Sequence, residues 1–183
     1  MAEQDVIELL MAQHGRIRDL FDEVEQASPD KVEEAFGRLT RMLSVHETAE
    51  EEIVHPYARR KLDNGQGVVA DRLGEENHAK RLLLDLHRDG VDHSRFWERL
   101  TELRTAVMMH ARGEERYEFA RLRACTSTAE RRAMAAAVRA AETLAPVRPH
   151  PGTETAVKNL LMGPPLAIMD RAREVIRKAL GKG

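Results

Sequence analysis

With one cysteine, Cys125, in 183 residues, the chain has no intramolecular disulfide to hold a small secreted fold. Aromatic residues make up 4% and glycine 11 positions, too little of either for a sheet with its aromatic strands and glycine turns. No apolar run approaches membrane-spanning length, and none precedes the first helical stretch as a secretory signal would. Neither charge dominates: 29 basic against 31 acidic residues leave a net charge of −2, which removes the general argument for nucleic acid or an anionic membrane as partner. A Gly-rich phosphate loop, a Cys-x-x-Cys pair and a nucleophile elbow are all missing. These absences predict a cytoplasmic, all-α protein without a transmembrane segment, whose chemistry rests on other residue types.

Helix-forming Ala, Leu, Glu and Arg are plentiful, and their apolar periodicity predicts four long helices. The first runs from about Glu3 to Ala27 and stops at Ser28-Pro29, which caps the second. The second passes Glu50; Pro56 bends or ends it, and Asn64-Gly65-Gln66-Gly67 makes the turn. The third spans about Val68 to Arg88 before Gly90, and the fourth about Arg95 to Ala124. Short connections favour an up-down-up-down four-helix bundle over residues 1–124. Residues 125–183 read as a C-terminal helical extension: a capping box at Ser127–Glu130, an alanine-rich helix to about Leu144, a proline-rich break at 146–152, and an amphipathic remainder around Met162-Gly163-Pro164-Pro165. That remainder carries Leu166, Ile168, Met169, Val175, Ile176 and Leu180, a face for the bundle, for a partner protein or second copy, or for a membrane surface.

Histidines interrupt the apolar stripes. Phe36, Leu39 and Leu43 lead by threes and fours to His46 and Glu50; Leu100, Leu103 and Val107 lead to His110, Glu114 and Tyr117. His14 lies on the stripe Leu10, Ile17, Phe21, and His78 on the stripe Leu82, Leu86. His14, His46, His78 and His110 are evenly spaced along the chain, which would set them at one depth in a bundle. Inward carboxylates are costly unless paired or bound to a metal, and imidazole supplies the complementary nitrogen. Tyr117 offers a phenol near such a site. His55, His87, His93 and His150 fit the pattern less well, Met108 and Met109 read as packing, and Cys125 as inert.

The set His14, His46-x-x-x-Glu50, His78 and His110-x-x-x-Glu114 resembles the hemerythrin-like, or HHE cation-binding, domain, over roughly residues 1–124. The resemblance implies two non-haem iron ions, oxo- or hydroxo-bridged, with His14, His46, His78 and His110 as terminal ligands and Glu50 and Glu114 as bridges. Without metal, both glutamates should have raised pKa values and the fold should be less stable. Oxygen-carrying relatives resemble a His-x-x-x-His pair on the third helix, whereas Gly74 stands four residues before His78. That difference implies a ligand position left for solvent, for Glu75 or for an exogenous molecule. The expected activity is reaction with a small oxidant: hydrogen peroxide disproportionation, or peroxide-dependent oxidation of a species such as nitric oxide. Reversible oxygen binding, or sensing of iron or oxygen, is the alternative. A ferritin-like site is a second alternative, through Glu52-x-x-His55 and Glu75-x-x-His78. Glu51 and Glu52 read as surface charge, and Glu47 as surface charge or a supplementary ligand.

Overall fold

A computed structural model describes residues 4–143 and 165–179. The expectations for 146–152, for the turn around Met162 and for the side chains of Leu166, Val175 and Leu180 lie outside the described residues. Helix α1 (Val6–Glu25) begins at a reciprocal cap: the Ile7 and Glu8 amides donate to the Asp5 carboxylate, and the Asp5 amide donates to that of Glu8. After α1, Ser28 Oγ donates to Asp30 at 2.6 Å and the Lys31 amide donates to the Ser28 carbonyl at 2.8 Å. That turn uses up the residues expected to open the second helix, so α2 (Val32–Ala49) starts later.

Beyond Ala49 the helix widens into a π turn, π1 (Glu50–Val54), where the His55 amide donates to the Glu50 carbonyl five residues back. It resumes as α3 (His55–Lys61). Pro56 therefore does not end the helix: it falls where bonding returns from five residues back to four, and its missing N–H costs little there. Asn64, left-handed at φ 55°, turns the chain into α4 (Gly65–Asp89). A side chain at Gly65 would collide with the Ala58 carbonyl, so this corner requires glycine. Helix α5 (Phe96–Gly113), π2 (Glu114–Glu118) and α6 (Phe119–Cys125) repeat the widened pattern. The four members of the bundle are thus α1, α2 with π1 and α3, α4, and α5 with π2 and α6, each packed on the next and α5 back on α1.

Two large apolar clusters fill the bundle, beside a small third one of Ala58, Leu62 and Val69. One gathers Ile17, Phe21, Leu39, Leu43, Leu83 and Leu100; the other gathers Leu10, Ala49, Ile53, Val54, Phe119 and Leu122. On α1, His14 falls between Leu10 of one cluster and Ile17 of the other, so a polar layer divides the core.

Helix α7 (Thr128–Thr143) starts from the expected box at Ser127 and Glu130. It adds Met134, Ala135, Ala137 and Val138 to the second cluster, and α8 (Pro165–Ala179) adds Ile168, Ala172 and Ile176. Burying Ile168 and Ile176 alone is worth roughly 3–5 kcal/mol before ordering costs. The described part of the amphipathic face is thus covered by the chain's own bundle. Arg173 and Arg177 of α8 also reach Glu52, and Arg173 reaches Glu51, clasping the π1 turn from outside.

Arg131 ties α7 to the cap of α1: its Nε donates to Asp5 Oδ2 at 2.7 Å and its Nη1 to the Thr126 carbonyl at 2.6 Å. Removing one partner of a buried pair strands the other. Arg131→Ala is expected to cost about 3 kcal/mol, read in chemical denaturation as a lower midpoint with an unchanged slope.

Candidate metal centre

The two His-x-x-x-Glu pairs end α2 and α5, each glutamate being the first residue of a π turn. His14 Nε2 lies 3.3 Å from Glu114 Oε2 and 4.0 Å from Glu50 Oε1, and His46 Nε2 lies 3.2 Å from Glu50 Oε1. On the opposite side, His110 Nε2 lies 3.4 Å from Glu114 Oε2, 3.6 Å from Glu50 Oε2 and 3.7 Å from Glu76 Oε1. The donor atoms of His14, His46, Glu50 and Glu114 all fall within 4.8 Å of one another, as do those of Glu50, Glu76 and His110. The two groups share Glu50, whose Oε1 faces one and Oε2 the other.

His14 Nε2, His110 Nε2 and both carboxylate oxygens of Glu50 and Glu114 have no hydrogen-bond partner among the described residues. Buried polar atoms left this way cost about 1–3 kcal/mol each. Converging imidazole nitrogens and carboxylate oxygens are what a cation would satisfy, so the donor set fits a metal. The outer nitrogens fit too. Nδ1 of His14 lies 2.8 Å from Glu115 Oε1, that of His110 3.0 Å from Glu75 Oε2, and that of His46 2.7 Å from Gln13 Oε1. An oxygen partner calls for the proton on Nδ1, which leaves the Nε2 lone pair of each neutral ring facing the centre.

Burial and the neighbouring Glu114 push the Glu50 carboxyl well above its usual range. Glu114 departs from the sequence expectation: burial raises it, but His110, joined by His14 and His46, outweighs burial and holds it at about 2. His110 is driven the other way, to about 12, because Glu114 and Glu50 overcome the effect of its burial. Burial, aided by like charges nearby, pushes Glu47 up to about 8 and Glu118 to about 7.

A pH dependence follows. Glu47, Glu118 and His110 bind protons more tightly when folded, so the stability they lend is complete below their unfolded values and lost as pH rises. His46, held below its usual value by burial, acts in the opposite sense chiefly below pH 6.5. Between about pH 6.5 and 8 the first three therefore prevail, each at up to about 1.4 kcal/mol per pH unit. The unfolding temperature of the metal-free protein should fall by on the order of 10 °C over that window, measured by thermal melts in buffers of equal ionic strength.

The structure brings His14, His46, Glu50, His110 and Glu114 together and departs from the other expectations. His78 is on the outer face of α4, 49% exposed, 4.0 Å from Glu102 and in neither donor group. The inward stripe of α4 is Val69, Glu76, Ala79, Leu83 and Leu86, which sets Glu76 where His78 was expected. Gly74 faces open space, so it frees no ligand position. Tyr117 is 61% exposed, because π2 adds a residue to the turn and carries Glu118 inward instead. The ferritin-like pairs do not form: Glu52 turns to Arg173, and Glu75 to Arg72 and His110. Met109, at 66% exposure, is not packing.

Sequence reasoning passed over Glu76, Gln13 and the buried pair of His55 Nε2 with Glu76 Oε1 at 2.6 Å. Stepping back from Leu86 through Leu83 and Ala79 by threes and fours would have found Glu76. Glu47, once a choice between surface and ligand, is buried and lines a cavity of about 10 Å³ together with His14, His46, Glu76 and His110 and the apolar Ile17, Leu43 and Val107. Such a space admits about one water-sized molecule.

Comparison with known proteins gives two findings. The family model for the hemerythrin HHE cation binding domain matches residues 5–122. A DNA nickase from Nostoc sp. (strain PCC 7120) is 34% identical over 121 residues, which are 66% of this chain and 33% of that protein. The chain thus spans about a third of that relative's length. No solved structure matches.

Proposed function

Because the chain belongs to the hemerythrin HHE cation-binding family, we propose that its buried layer holds two iron ions and turns over a small oxidant, hydrogen peroxide first. His14, His46 and Glu114 would hold one ion and His110 and Glu76 the other, with Glu50 placed to serve both. Bound iron supplies Lewis acidity and a ferrous–ferric couple. The chain supplies the enclosure. The cavity beside the imidazoles is also lined by Ile17, Leu43 and Val107 and has room for about one water-sized molecule, which keeps all but the smallest ligands out. A groove of about 430 Å³ between α4 and α5, lined by Glu75, Thr105, Met109 and His110, leads from the surface to the His110 side.

The observation that carries turnover over storage is Glu47. Its carboxyl lines the cavity, holds its proton near neutral pH, and leaves Oε2 without a partner among the described residues. A proton donor beside the ligand favours O–O cleavage, as disproportionation of two peroxides to two waters and dioxygen requires. It takes the role first expected of Tyr117.

The test is peroxide loss by the iron-loaded protein. Glu47→Gln, which keeps shape and hydrogen bonding but has no acidic proton, should slow it by about 100-fold, and His110→Ala should abolish it. Loss no faster than with the same iron free in buffer would sink the proposal. A spectrum that forms with oxygen and reverses on degassing, with no peroxide turnover, would instead support reversible binding in the same cavity. Oxidation of nitric oxide would be a second use of that cavity, visible as peroxide-dependent nitrite formation. Nicking of DNA is not carried over from the Nostoc protein, since the matched stretch is only 33% of that protein, and every donor in this layer is under 9% exposed.

A further inference from the structure

His14 and His110 direct Nδ1 at carboxylates, which only accept. His46 is different: its Nδ1 faces the side chain of Gln13, and an amide can present either an acceptor or a donor. If the Gln13 NH₂ faced His46, the ring would have to accept at Nδ1 and carry its proton on Nε2, where a metal would bind. If the oxygen faces His46, the proton sits on Nδ1 and Nε2 is free. Gln13 is buried at 3% exposure, so water does not settle the choice.

A third residue does. Glu142, on α7, lies 2.7 Å from Gln13 Nε2. Its carboxylate accepts and cannot donate, so the Gln13 NH₂ must turn to Glu142 and the oxygen to His46. Residue 142 lies outside the stretch matched by the family, which ends at residue 122.

We infer that Glu142, from the C-terminal extension, is a positioning residue for the metal centre: through Gln13 it holds His46 in the tautomer whose Nε2 can bind metal. This rests on the reading above that His46 is a ligand. It also gives the extension a part in the site that packing alone would not, since α7 reaches the polar layer with a hydrogen-bonded chain as well as an apolar face.

The experiment uses the full chain and two variants. Glu142→Ala removes the acceptor at a half-buried helical position, where alanine favours the helix, so unfolding does not explain a change. Glu142→Gln can still present an oxygen to Gln13. In nitrogen NMR of the metal-free protein, His46 should be the Nδ1–H tautomer in wild type and in Glu142→Gln, and a mixture with the Nε2–H form in Glu142→Ala. Zinc affinity, measured by chelator competition, should fall about 10-fold in Glu142→Ala and recover in Glu142→Gln. A single Nδ1–H tautomer and unchanged zinc affinity in Glu142→Ala would overturn the inference. Failure of the wild-type chain to bind zinc or iron would overturn the metal reading, while the tautomer comparison in the metal-free chain would still decide what Glu142 does to His46.

Discussion

Removing metal from the loaded protein with a chelator should lower its unfolding temperature by about 15 °C at neutral pH. A ligand that binds only the folded state adds about 2.7 kcal/mol at a hundredfold excess over its dissociation constant and about 4.1 at a thousandfold. Two such sites, at roughly 2–4 °C per kcal/mol for a chain of this size, give a shift of that order. The origin is in the layer itself. Glu50 and Glu114 bring four oxygens, and His14 and His110 two nitrogens, into the core without hydrogen-bond partners among the described residues. The folded chain bears that cost until a cation removes it. Calorimetry with and without chelator is the measurement. An unchanged melting temperature would mean that the imidazoles and carboxylates satisfy one another and that the layer is an internal ion-pair network.

The second large effect separates the two donor groups. Glu50 belongs to both, whereas Glu76 belongs to one. Glu50→Ala should therefore empty the centre, with about two metals per chain in wild type falling to none, while Glu76→Ala should leave about one, held by His14, His46, Glu50 and Glu114. Metal analysis of protein purified after iron loading reads this directly. His78→Ala is the contrast, and should retain wild-type metal content because that imidazole is 49% exposed and outside both groups. Equal metal content in Glu50→Ala and wild type would remove Glu50 as a bridge. The metal-free Glu50→Ala chain should also melt no lower than metal-free wild type, since it has lost a carboxyl whose buried charge is disfavoured by burial and by Glu114.

Much of this was legible in residue order. Three- and four-residue steps placed His14, His46, Glu50, His110 and Glu114 inward, because those steps follow α-helical geometry up to the point where each helix widens. They failed just past it. At Tyr117 the pattern assumed one more α turn, but the extra residue of π2 swings the tyrosine out and Glu118 in; backbone bonding that shifts by one residue leaves no mark in a hydrophobic stripe. On α4 the even spacing of the histidines gave His78 a weight that packing does not. Leu82 is only half-buried, while Leu83, Ala79 and Glu76 define the inner face. Glu142 and Gln13 meet across 129 positions of sequence, a contact that no local periodicity encodes.

The polar layer leaves the bundle with two apolar clusters in place of one continuous core. Cooperative unfolding depends on contacts that make the loss of one part the loss of the whole. Across this layer the side chains that meet are the imidazoles and carboxylates of the candidate metal centre. The end of the bundle held by α7 and α8 and the end built on Phe21, Phe36 and Phe96 therefore meet across imidazoles and carboxylates rather than across leucines. A cation bound there would decide more than whether the site works: it would set whether the protein opens as one unit or as two, and hence how much of the chain a protease meets during each brief opening.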